Sequence, residues 1–217
     1  MPPTKSPRPL RLIVDADHGY GNALNVMRTV QELQATGVAG ITIEDTLLPR
    51  AFGSQAAPQL VSLEEGVGKM KAALRGRGAG DALVFGRTSA ASITGVDDAI
   101  RRLRAYEAAG VDALFVPGLK KREDVDRIAE AVKLPLVLGG GSEAVADPHY
   151  LASRGVRIWL WGHQPFAAAV KAVHDAMLAV RGGATPALLA AAAPEALLRQ
   201  FTAAEDYDAL TRDFLVG

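Results

Sequence analysis

Short apolar runs alternate along the chain with longer segments whose apolar residues recur every three to four positions. The run at 11–17 leads into a helical pattern at about 22–36, where Leu24, Met27, Val30 and Leu33 share one face. ITIED at 41–45 predicts a second strand, and 62–76 a second helix opened by a capping box of Ser62 and Glu65. The pattern continues with strands at 82–90, 113–118, 135–141 and 156–163. Helices are expected at about 95–109, 122–132 and 147–154, with another beginning at Gln164.

Strands that alternate with amphipathic helices predict a parallel sheet flanked by helices. Two architectures remain, an open doubly wound sheet and a (β/α)8 TIM-type barrel. Polar residues end several successive strands and would converge on one rim, which favours the barrel. About six βα units are legible where a full barrel has eight, so the expectation is an incomplete α/β barrel. The Pro-rich start (Pro2, Pro3, Pro7, Pro9) cannot supply a central strand, because proline lacks the N–H that a ladder needs. The expected division is a barrel domain at 1–183 and a C-terminal helical extension at 184–217, whose apolar residues (Leu197, Leu198, Phe201, Tyr207, Leu210, Phe214) need a surface to cover.

Composition narrows the chemistry. The 24 basic and 24 acidic residues balance, so no general attraction to nucleic acid or anionic membrane is implied. The chain has no cysteine, which excludes disulfides, thiol nucleophiles and thiolate metal sites. No apolar run reaches membrane-spanning length and the first residues lack a secretory core, so a cytoplasmic location is expected.

The candidate chemistry gathers at strand ends. Alternation puts Asp15 and Asp17 on one face of the first strand, where they repel unless a cation or proton intervenes. Gly19 and Gly21 then allow a sharp turn into the helix. The same acids could serve simply as turn-formers and caps. In ITIED, Thr42 and Glu44 share a face opposite Asp45, so Glu44 can join the two aspartates while Asp45 faces outward or caps the loop. Mg2+ takes few protein carboxylates directly, which assigns Asp17 as direct ligand and Asp15 and Glu44 as holders of metal-bound water; Mn2+ suits the same oxygens. Arg87 follows a buried run and is costly there unless paired, with a substrate carboxylate or with a barrel acid. Trp159, Trp161 and His163 alternate onto one face, with His163 ending the strand. The glycines at 139–141 either cradle an anion or make a tight turn. The long 46–61 loop has the composition of a lid, with Arg50 on it.

DADHGYGNALNVMRTV resembles the metal-binding segment of the isocitrate lyase/phosphoenolpyruvate mutase superfamily, and most of all its bacterial oxaloacetate decarboxylases, which carry His after the second Asp. The likeness runs from about Leu12 to the C-terminus through IED at 43–45 and Arg87-Thr88, with Ser89 where the family has Asn. It implies two further βα units ahead of the first strand, and so a chain short at its N-terminus. It also implies substrate contact by Arg87 and His163, a gating role for the 46–61 loop, and a homo-oligomer that exchanges C-terminal helices; His18, next to the acids, would support the metal ligands from behind.

These readings converge on a carbon–carbon lyase, a Mg2+-dependent decarboxylase converting oxaloacetate to pyruvate and CO2, with a small 2-keto acid as its partner. Because CO2 leaves without a proton, no strong base is required. The alternatives are lyase or phosphonomutase chemistry on a related 2-keto acid, and an inactive family member. Mechanisms that use a catalytic cysteine are closed to this chain.

Overall fold

The structure is a computed structural model that describes residues 10–48, 58–187 and 194–215. The chain forms two compact units, Met1–Gly162 and His163–Gly217. The first holds a sheet of six parallel strands in sequence order: β1 (Ile13–Asp15), β2 (Gly40–Glu44), β3 (Leu83–Arg87), β4 (Ala113–Pro117), β5 (Leu136–Gly139) and β6 (Val156–Leu160). Helices α1 (Ala23–Ala35), α2 (Leu63–Arg77), α4 (Val96–Ala109), α5 (Arg122–Ala131) and α6 (Pro148–Ser153) make the crossovers, and a short α3 (Ala90–Ile93) precedes α4. This curled sheet is the incomplete barrel expected from the alternation.

Local chemistry explains the helix starts. Asn22 caps α1 by accepting from Leu24 N and Asn25 N, and the Asn25 side chain returns the bond. Ser62 caps α2 by accepting from Glu65 N at 3.1 Å, which is the first half of the capping box expected there. Asp147 caps α6, with Pro148 opening the helix.

The sheet has two apolar faces. Ile41, Ile43, Val84, Leu114, Val116, Leu136 and Leu138 pack beneath the helices with Val26, Val30, Met70, Leu103 and Ile128. On the concave side Phe85, Ala113, Phe115 and Val137 form a second cluster, with Ile13 and Ile158 against it. Asp15, Glu44 and Arg87 continue this inner face at the carboxyl end of β1, β2 and β3.

Trp159 packs against the helix-side cluster, and Ile158 holds the inner position. The cause is an irregularity opposite Leu136 and Val137: Leu136 pairs with Val156 but Val137 pairs with Ile158, so Arg157 is skipped and the alternation changes parity.

The second unit contains α7 (Gln164–Arg181), α8 (Glu195–Phe201) and α9 (Ala204–Phe214). Phe201 of α8 and Tyr207 and Phe214 of α9 are exposed. The expected division at 183/184 falls within this unit. No helix is long and apolar enough to cross a membrane among the described residues.

Candidate active site

Three neighbouring strands deliver the first members of the site in register. Glu44 and Arg87 are direct partners across β2 and β3, and Asp15 stands opposite Thr42 across β1 and β2. Arg87 spans both acids. Its Nη1 donates to Asp15 Oδ2, and its Nε lies 3.0 Å from Glu44 Oε2. That second contact is misaligned for a hydrogen bond, so both buried atoms lack a formal partner despite their proximity. Arg87 also lies over the Phe115 ring, 5.1 Å from its centroid.

Asp17 is joined to this pair through its backbone. Its N–H donates to Asp15 Oδ1 at 3.1 Å, and its carbonyl accepts from Glu44 N at 2.8 Å. Thr42 Oγ1 donates to the same Asp15 oxygen at 2.9 Å. Asp17 is left-handed at φ +47°, a region where Asp is among the better-tolerated residues. The turn continues through Gly19 at φ +76°, where a Cβ would lie 2.4 Å from Val26 Cγ2. Glycine is needed there for both conformation and space.

Burial raises the pKa of Glu44; Arg87 opposes that shift and Asp15 adds to it. For His18, burial lowers the pKa, Lys69 lowers it further and Asp17 opposes. His18 Nδ1 is buried without a hydrogen-bond partner.

The donor set suits a hard divalent cation: three carboxylates, no sulfur, and a buried Glu44 oxygen lacking an aligned donor. No group of three or more His, Asp or Glu side chains already closes around a common centre among the described residues. Arg87 stands between Asp15 and Glu44 instead.

His163 is not a strand-end residue. It lies beyond β6, is exposed, and precedes α7 as the first residue of the second unit. Arg50 and the middle of the expected lid, 49–57, lie outside the described residues. The flanks of that loop are tied, with Leu47 N donating to Gln59 O and Val61 N to Asp45 O. At the glycine-rich turn after β5, Gly140 N donates to Leu160 O and Trp159 Nε1 donates to Gly140 O, which ties the turn to β6.

Sequence reasoning missed a buried layer behind the site. Asp45 does not face outward or cap a loop. It is fully buried and accepts from Tyr106 Oη at 2.6 Å and Arg102 Nη1 at 3.1 Å. Lys69 is buried too, and its Nζ donates to His18 O at 3.0 Å. A signal existed in the helix pattern: Gly66, Lys69, Met70 and Ala73 share the inward stripe of α2, and Ala99, Arg102, Leu103 and Tyr106 that of α4.

The profile of the family described as phosphoenolpyruvate phosphomutase matches residues 5–181. The chain is 53% identical over 206 residues to an oxaloacetate decarboxylase of Paraburkholderia xenovorans, covering 95% of this chain and 69% of that protein. It is 61% identical over 180 residues to an oxaloacetate decarboxylase of Bradyrhizobium diazoefficiens, covering 83% and 62%. The chain thus spans about two thirds of the length of these relatives. Among solved structures, a phosphoenolpyruvate phosphomutase from Streptomyces platensis superposes with a TM-score of 0.80 at 26% identity, covering 96% of this chain and 75% of that one. A phosphonopyruvate hydrolase in complex with oxalate and Mg2+ superposes with a TM-score of 0.78 at 30% identity, covering 95% and 74%.

Proposed function

The chain belongs to the phosphoenolpyruvate phosphomutase family, and from that premise we propose that it is a divalent-metal-dependent decarboxylase of oxaloacetate, a carbon–carbon lyase. The observation that carries this reading is identity of 53% and 61% to relatives named oxaloacetate decarboxylase, far above the 26–30% shared with phosphonate-acting structural neighbours.

Asp17, Asp15 and Glu44 are the residues that would hold Mg2+, or Mn2+ on the same oxygens. When bound, such a cation supplies positive charge where loss of CO2 builds negative charge on the keto oxygen, worth several kcal/mol. Arg87 holds Asp15 and Glu44 in place and offers its remaining N–H donors to a substrate carboxylate. The buried floor of Phe85 and Phe115 excludes water from below. Substrate contact by His163 rests on the resemblance alone, as does homo-oligomer formation through the C-terminal helices.

The test is oxaloacetate consumption by purified protein with and without Mg2+, against the metal ion alone. Acceleration above the metal-only rate supports the proposal, and its absence, with phosphonopyruvate or phosphoenolpyruvate turned over instead, replaces it. Light scattering in solution checks the oligomer.

A further inference from the structure

Lys69 is 1% exposed, in a helix stripe otherwise made of Gly66, Met70 and Ala73. An ammonium is expensive to bury, and one hydrogen bond to a carbonyl offsets only part of that cost. Stability alone therefore does not account for Lys69. Among the described residues its one hydrogen bond reaches 51 residues back, from α2 to the carbonyl of His18.

That carbonyl lies within a backbone turn in which each acceptor is occupied. Ala16 O accepts from Gly19 N, Asp17 O from Glu44 N, His18 O from Lys69 Nζ, and Gly19 O from Thr29 Oγ1. Lys69 is the single charged donor among the four, and the one that ties the turn to α2. The turn needs ties, because Asp17 at φ +47° and Tyr20 at φ +60° are left-handed without being glycine. The direction in which Asp17 presents its carboxylate is set by this turn.

We propose that Lys69 is a positioning residue for the cation site: by holding the His18 carbonyl it locks the turn that aims Asp17. This rests on the metal-dependent reading above. Lys69 touches neither the cation nor the substrate. It acts on the backbone that carries the direct ligand, the kind of outer support whose loss costs about 10–100-fold in metal affinity.

The experiment titrates Mn2+ into parent, Lys69→Met and Lys69→Arg proteins, following free Mn2+ by electron paramagnetic resonance, with thermal unfolding measured in metal-free buffer. The expected result is Mn2+ affinity about tenfold weaker or more in Lys69→Met, whatever the change in metal-free Tm, and affinity largely recovered in Lys69→Arg. A residue with only a structural role lowers the metal-free Tm and leaves Mn2+ affinity parental, and that result overturns the proposal. If Lys69→Met does not fold, Lys69→Gln, too short to reach His18 O, is read by the same criteria. A parent that binds no Mn2+ overturns the metal reading itself and, with it, any role of Lys69 toward the cation. A parent that binds while Lys69→Met binds equally overturns the role of Lys69 alone.

Discussion

Tyr106 donates its hydroxyl to Asp45 Oδ2 at 2.6 Å, joining α4 to the residue that follows β2, both fully buried. Arg102 approaches the same oxygen at 3.1 Å and also donates to Val61 O at 3.0 Å, so one guanidinium links both flanks of the 46–61 loop. Burial, and after it the Asp45 carboxylate, push the Tyr106 pKa far up, which keeps the phenol a donor. Asp45 Oδ1 already lacks a partner. Tyr106→Phe therefore removes one of the acid's few compensations and is expected to cost about 1–3 kcal/mol by urea denaturation. Mn2+ affinity should stay parental, since Asp45 lies on the opposite side of the sheet from Asp15 and Glu44.

Asp17→Asn is expected to separate binding from folding. Asn accepts the left-handed backbone as readily as Asp, so the turn is preserved. The loss of anionic oxygen should appear as weakened Mg2+ affinity by calorimetry, and as lost turnover. The metal-free Tm should not fall, because one of three neighbouring carboxylate charges has gone. Parental Mg2+ affinity in this variant would place the metal elsewhere.

Arg87 supports Glu44 and, in the proposed function, the substrate. Arg87→Met leaves the buried Glu44 carboxylate without its nearest cation and should cost about 1–3 kcal/mol. The sign with pH follows from Glu44. Burial raises its folded pKa above the unfolded value and Arg87 opposes the shift, so without Arg87 it rises further. Folding then favours protonated Glu44, and the destabilisation grows as pH climbs through the folded pKa. Unfolding of Arg87→Met should be closest to parental at acid pH and furthest from it at alkaline pH. Adding Glu44→Gln should flatten the difference. Arg87→Lys should keep metal binding but raise KM for oxaloacetate, since the planar fork is lost.

Asp98 provides an acid-stability marker remote from the site. Burial alone raises its pKa, but hydrogen bonds from Thr94, Arg101 and Arg102 outweigh burial and bring it to about 2. A depressed carboxylate contributes stability that is complete above its unfolded pKa of 3.8 and is lost as pH falls toward the folded value. The shift corresponds to about 2 kcal/mol. Asp98→Asn should therefore destabilise at neutral pH and show a flatter stability profile than the parent between those two pKa values.

The site divides along the same line as these predictions. Asp15, Glu44 and Arg87 were legible because each ends a strand whose alternation names its face, and the structure keeps that alternation in β1 to β3. The inner position of Ile158 is not legible, because skipping Arg157 in the β5–β6 pairing reverses the parity, and a skipped residue leaves no mark on an apolar run. Asp45 was assigned to the outside by the same rule that placed Glu44 correctly. Parity puts it opposite Glu44, but on that side of the sheet the solvent is replaced by Arg102 and Tyr106.

The sequence by itself determined the six βα units, the concave and helix-facing sides of the first strands, and the all-oxygen character of any metal site. These follow from residues two to four positions apart and from composition, and the backbone periods of strand and helix read them directly. Tertiary structure alone decided which charge meets which: Arg87 with both Asp15 and Glu44, Arg102 with Asp45, Lys69 with the carbonyl of His18. These partners lie tens of residues apart, and a charge in an apolar stripe declares only that it needs a partner. Which partner it finds depends on how the helices pack against the sheet, because desolvation makes each buried charge bind whatever opposite charge or carbonyl that packing brings within reach.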